Sequence, residues 1–197
     1  LWQVEEIIKN NLDNVVVIDE AYVDFGGESA VTLVDKYDNL LVTQTFSKSR
    51  SLAGARLGLG IASEKLIADL NAIKYATNPY NVNRMTGAAG VAALSMQSYF
   101  DEKCKEICEN REYTRVELEK LGFTLTDSKT NFLFAKSEKI AGEELYQKLK
   151  ARGVLVRHFS TPRIKEYNRI TVGTRAQMDV FLSCVREILK EKENESK

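Results

Sequence analysis

Two apolar runs constrain this chain most tightly: Val15-Val16-Val17-Ile18 and Leu40-Leu41-Val42-Thr43-Gln44-Thr45-Phe46. Both are short and mostly aliphatic, rich in β-branched residues, which suits buried strands of a parallel sheet, the first of them central. Each stops abruptly in residues that carry chemistry. The first ends in Asp19, Glu20 and Tyr22; the second runs into Ser47-Lys48-Ser49-Arg50-Ser51, then Gly54, Arg56 and Gly58. Between them, Asp24 to Ser29 reads as a loop and Ala30 to Tyr37 as a short helix. The whole is a β-α-β unit, which crosses over right-handed. Open α/β sheets carry their sites at the carboxyl ends of such strands.

Lys48, in a small hydroxyl-rich loop just past a strand, is placed either for covalent chemistry or simply as a solvated surface amine. Gly54 and Gly58 relieve crowding around it, and Arg56 offers a planar, permanently charged fork suited to phosphate. Asp19 admits a ligand-facing role, a metal site or a helix N-cap. A nucleotide-linked metal site would need a G-x-x-x-x-G-K-[ST] loop, which the chain lacks, and no metal is expected.

Balanced charge, 28 basic against 28 acidic residues, argues against general affinity for nucleic acid or anionic membrane, so small anions must be met by local arginines. With 44% hydrophobic residues in 197, the chain can bury a sizeable core. Cys104, Cys108 and Cys184 make an odd count far from the single histidine, His158; Cys104 and Cys108 share a helical face and read as buried thiols. No run spans a bilayer and no signal peptide is evident, which points to the cytosol.

Along the chain, Leu1 to Asn10 has helical spacing, Leu57 to Ala62 reads as a strand, and Ser63 caps a helix reaching about Lys74. Tyr75 to Asn83 is a loop, and the small-residue helix from Arg84 to about Ser95 implies close packing rather than chemistry. A long charged helix, Asp101 to Leu121, ends at Gly122. Strand Phe132–Ala135, helix Glu143–Ala151, strands Val154–Arg157 and Arg169–Val172, and a helix from Ala176 to about Glu191 follow. The expected division is residues 1–97, the later part of a large α/β domain, and residues 98–197, a small α+β domain including the long helix. The tail Glu191 to Lys197 is expected to fray.

The order of these motifs, with Asp19 and Lys48 about thirty residues apart, resembles the fold-type I pyridoxal-phosphate aminotransferases. The resemblance implies a three-layer α/β/α domain with a mainly parallel sheet. It also implies that Lys48 carries the cofactor covalently and acts as the base. Thr45, Ser47 and Arg56 would bind its phosphate, Asp19 its ring nitrogen and Tyr22 its phenolic oxygen. Arg169-Ile170-Thr171-Val172-Gly173 matches the family's R-I-x-x-G carboxylate site. Thr130-Asn131-Phe132 matches a strand entrance, and Arg157-His158-Phe159 a V-R-x-F segment that makes Arg157 a second substrate candidate.

Val17 to Phe25, with Thr45 to Gly58, is most similar to the histidinol-phosphate aminotransferase family and covers the later half to two-thirds of such an enzyme. The glycine-rich phosphate turn, the ring-stacking aromatic and the N-P-N-N-P segment are not in the chain. The resemblance implies a cytoplasmic homodimer that moves the amino group of histidinol phosphate to 2-oxoglutarate in histidine biosynthesis. The isolated chain, with about three sheet strands and an open edge at the Val15 strand, is expected to be inactive. An aromatic aminotransferase, a threonine-phosphate decarboxylase or a non-catalytic domain of the same fold remain alternatives.

Overall fold

The structure, a computed structural model, describes residues 1–195. They form two compact units, Leu1–Glu102 and the residues from Lys103 onward, so the division falls a few residues inside the long charged helix. Among the described residues no helix is long and apolar enough to cross a membrane.

In the first unit, α1 (Trp2–Lys9) leads into β1 (Val16–Asp19), a 3-10 segment Ala30–Lys36, β2 (Leu40–Thr45) and β3 (Gly58–Ala62). β1 pairs parallel with β2, Val16 opposite Leu40 and Asp19 opposite Thr43. β3 pairs antiparallel with β2, Leu41 opposite Ala62 and Thr45 opposite Gly58. This chain's share of the sheet holds one parallel and one antiparallel pair. The cause is the connection Phe46–Leu57, which holds one 3-10 turn (Ala53–Ala55) and no crossover helix, so the chain folds straight back.

Strand order β1-β2-β3 puts β1 at an edge of this chain's sheet, the open edge expected at the Val15 strand, and not at its centre. Its residues alternate. Val16 and Ile18 pack on a core of Ile8, Ala30, Leu33, Leu40 and Val42, while Val17 is 55% exposed on the other face. α1 and the 3-10 segment cover one face only. Tyr37 donates to Glu5 Oε1 (2.8 Å), tying the end of the 3-10 segment to α1.

Two more helices complete this unit, α2 (Glu64–Thr77) and α3 (Arg84–Ser95). Ser63 Oγ accepts from Leu66 N and Asn83 Oδ1 from Thr86 N, each capping its helix through an otherwise orphaned N–H. α4 (Gln97–Lys120) follows, with Cys104 buried and Cys108 half-buried on it.

The second unit is an antiparallel sheet of order β4-β5-β7-β6: β4 (Phe123–Leu125), β5 (Phe132–Ser137), β6 (Arg157–His158) and β7 (Asn168–Thr171). Gly122 (φ 88°) turns the chain out of α4. β4 has no counterpart in the sequence reading, because three residues are too few for a period-2 signal. Of the strand expected over Val154–Arg157 only the last residue pairs: Val154 and Val156 turn to the core while Leu155 is 76% exposed. α5 (Gly142–Ala151) and α6 (Arg175–Glu195) complete the unit. Leu133, Ala135 and Ile170 of the sheet share one core with Leu145 and Leu149 of α5 and Phe181, Leu182, Val185 and Ile188 of α6.

The tail expected to fray is helical through Glu195, while Ser196 and Lys197 lie outside the described residues. Arg152 grips Glu191 with two hydrogen bonds, and Lys192 reaches Glu144 at 2.9 Å. Each such surface pair contributes little. Several of them, added to the buried Ile188 and Leu189, carry the helix onward.

Candidate active site

At the carboxyl end of β1, strand alternation sends two adjacent carboxylates opposite ways. Asp19 is exposed, and its Oδ1 accepts from Ala21 N (3.1 Å), which shapes the turn toward Tyr22. Glu20 is only 8% exposed and is the hub that the sequence reading missed. It accepts from Ser29 Oγ (2.7 Å), Ala30 N (2.6 Å) and Gln44 Nε2 (2.9 Å), and its own N–H donates to Thr43 O (2.8 Å). One carboxylate thus joins the end of β1, the start of the 3-10 segment and the end of β2. The available signal was the period of the strand: of two neighbouring acids, one had to face the core side.

The loop after β2 comes to the same end of the sheet. Thr45 Oγ1 and Ser47 Oγ lie 3.0 Å apart, and Ser47 N donates to Thr45 Oγ1 (3.1 Å), so two hydroxyls face one small region. Lys48 is exposed, its Nζ 5.5 Å from the centroid of the Tyr22 ring. A second link between the two strand-end loops runs from Ser49 Oγ to Asp24 Oδ2. The antiparallel return to Gly58, opposite Thr45, brings Arg56 back to this end. Arg56 holds a left-handed backbone (φ 54°), uncommon without glycine, and its Nη1 donates to Ala53 O (2.9 Å). Asp19, Tyr22, Thr45, Ser47, Lys48 and Arg56 therefore share the carboxyl end of β1 and β2.

Arg157 and Arg169 belong to the second unit and sit directly opposite one another in the β6–β7 ladder. Like charges in that position repel. Their guanidinium carbons lie 5.5 Å from the Phe159 ring centroid and 5.2 Å from that of Phe132, and Arg169 Nε is buried with no hydrogen-bond partner. His158, beside them, stacks on Tyr146 (5.8 Å) on the α5 side and keeps a buried, unpaired Nδ1. Asn131 contributes its carbonyl, which accepts from Val172 N (2.9 Å).

A lysine and a phenol thus stand together at one strand end, with an acid and paired hydroxyls beside them. The family model for aminotransferase class I and II matches residues 1–185, and the chain belongs to that family. It is 50% identical over 191 residues to a histidinol-phosphate aminotransferase of Brachyspira hyodysenteriae, covering 96% of this chain and 54% of that protein. The chain spans about half the length of the curated relatives it matches. Among solved structures, the histidinol-phosphate aminotransferase of Clostridium acetobutylicum superposes with a TM-score of 0.85 at 25% identity, covering 96% of this chain and 58% of that one. The Sinorhizobium meliloti histidinol-phosphate aminotransferase, solved in complex with pyridoxal-5'-phosphate, shares the fold at a TM-score of 0.80 and 22% identity, over 95% and 53% of the two chains.

Proposed function

We propose that the protein is a pyridoxal-phosphate-dependent aminotransferase that moves the amino group of L-histidinol phosphate to 2-oxoglutarate, yielding imidazole-acetol phosphate and L-glutamate in histidine biosynthesis. The observation that carries this reading is Lys48 standing over the Tyr22 ring, at the strand end that also presents Asp19 and the Thr45–Ser47 hydroxyl pair. The identity to relatives named for histidinol phosphate supports the choice of substrate.

The donor set fits the cofactor. Two short hydroxyls and a guanidinium suit a phosphate, an exposed carboxylate suits a protonated ring nitrogen, and a phenol suits the ring's oxygen. When bound, pyridoxal phosphate supplies a cationic ring that takes up electrons from the donor's α-carbon. Thr45, Ser47 and Arg56 hold the phosphate. Asp19 keeps the ring nitrogen protonated and Tyr22 hydrogen-bonds the phenolic oxygen. Lys48 would hold the cofactor covalently, and its Nζ, when free, would be the base that takes the donor's α-proton and gives it back. Arg169, with Arg157 across the ladder, binds the anionic end of each substrate, and the anion offsets their mutual repulsion. On the same reading the enzyme works as a cytoplasmic homodimer, as the family resemblance implies.

Loading the protein with pyridoxal phosphate, reducing with borohydride and mapping the peptides tests the core of this reading. The pyridoxyl label is expected on Lys48; a label confined to other lysines overturns it. For the substrate, histidinol phosphate, an aromatic amino acid and threonine phosphate are supplied in turn to the full-length protein and the products identified. Faster turnover of an aromatic donor, or loss of carbon dioxide from threonine phosphate, would replace the histidinol phosphate assignment and leave the cofactor reading standing.

A further inference from the structure

The lysine loop rests on one face of α3. Thr86, Gly90 and Ala93 recur at helical spacing on that face, and each meets a different part of the segment Phe46–Leu57. Thr86 Oγ1 donates to Ala55 O (3.3 Å). At Gly90 a Cβ would lie 2.5 Å from Leu57 Cδ2, the tip of a flexible side chain, so glycine leaves Leu57 its place against α3 without a rotamer change. Ala93 offers its carbonyl, which lies in the last turn of α3, where no intrahelical partner exists, and Arg50 Nη1 donates to it at 2.8 Å. The same guanidinium donates from Nη2 to Gln97 Oε1 (3.2 Å) and lies 3.8 Å from the centroid of the Phe100 ring.

Arg50 is two residues from Lys48, and the loop between the strands holds two non-glycine residues at positive φ, Ser51 (57°) and Arg56 (54°). Such backbone persists only where its surroundings over-determine it. A cation at a helix C-terminus, sandwiched on an aromatic ring and hydrogen-bonded on both terminal nitrogens, supplies that determination.

We propose that Arg50 is a positioning residue for Lys48: it latches the lysine loop to the end of α3 and the first turn of α4, and the Gly90 notch is the bed that the loop lies in. The latch sets how Lys48 is presented over Tyr22, without touching substrate or cofactor. This inference rests on the reading of Lys48 as the cofactor lysine.

The test compares the parent protein with Arg50→Met, Arg50→Lys and Phe100→Leu after loading with pyridoxal phosphate. Two quantities are read: the share of borohydride-fixed label on Lys48 among all lysines, and the pH midpoint of the visible absorbance of the loaded protein. Arg50→Met is expected to reduce the Lys48 share about tenfold, the scale of losing charge-assisted hydrogen bonds, and to move the pH midpoint. Arg50→Lys, which keeps the charge and a donor for Ala93 O, restores part of both. Phe100→Leu gives a smaller change in the same direction, and serves in place of Arg50→Met if that variant does not fold. A loop support with no bearing on Lys48 would lower the melting temperature and leave the label share and the midpoint where they were; that result overturns the proposal alone. A parent protein that places no label on Lys48 overturns the functional reading and this inference with it.

Discussion

Replacing Glu20 by alanine removes one carboxylate and leaves three donors facing the gap. Ala30 N–H is buried, so it loses its partner without access to water, at a cost of about 1–3 kcal/mol. Ser29 and Gln44 are half-buried and exchange a charged acceptor for solvent, which costs roughly 0.5 kcal/mol each. The sum is about 3 kcal/mol. Glu20→Gln behaves differently. Its oxygen still serves Ala30 N–H, the Ser29 hydroxyl can rotate to accept, and the Gln44 amide can flip to offer its oxygen, so the expected loss is under about 1 kcal/mol. Urea unfolding followed by the fluorescence of Trp2, the single tryptophan and a resident of the first unit, isolates the relevant transition. With an m-value of about 1.5 kcal/mol/M, the Ala variant should unfold about 2 M earlier and the Gln variant less than about 0.7 M earlier. A shift below about 0.5 M for Ala, or equal losses for the two variants, would refute the reasoning that the carboxylate is a hub of satisfied donors.

The Glu5–Tyr37 pair should give a two-sided pH signature. The Tyr37 hydrogen bond, with Lys9 nearby, holds the Glu5 carboxyl below its ordinary range, and the same bond pushes the Tyr37 phenol up. The carboxyl's contribution is therefore lost as pH falls through its lowered folded value, the phenol's as pH rises from the ordinary tyrosine range through its raised one; Tyr37→Phe removes the phenol's arm and shrinks the carboxyl's to what Lys9 supplies, which NMR titration of Glu5 and Trp2-monitored stability against pH will show. Gly142→Ala should destabilise the second unit by about 1–3 kcal/mol despite alanine's better helix propensity, because its Cβ would lie 2.6 Å from Lys165 O and 2.7 Å from Glu166 C. A stabilised variant in thermal unfolding would show that this contact gives way freely. In the full-length protein, Arg169→Lys should raise the KM for 2-oxoglutarate at least about tenfold while cofactor affinity stays within about twofold, since an ammonium cannot replace the bidentate fork. Equal weakening of both would point to a folding defect.

Local chemistry made much of this protein legible before any tertiary information. The apolar runs ending in Asp19 and leading to Lys48, the cap at Ser63, the stop at Gly122 and the helical faces of α5 and α6 all follow from interactions between residues close in the chain. Pairing partners far apart in sequence are different. Whether β3 returns parallel or antiparallel depends on how the Phe46–Leu57 connection packs, and that packing rests on α3, tens of residues later. Strand period dictates that Asp19 and Glu20 point to opposite faces; only the core laid down by Ile8, Ala30 and Leu33 decides which face is inside, and so which acid is a hub and which is free for chemistry. Arg157 and Arg169 were each visible as cations, but their standing opposite one another is a matter of register between strands joined by a long loop, which no local periodicity encodes. The small residues of α3 signalled close packing without saying against what. It took the fold to place the lysine loop in the Gly90 notch, because close approach is a property of two surfaces and the sequence writes each of them separately.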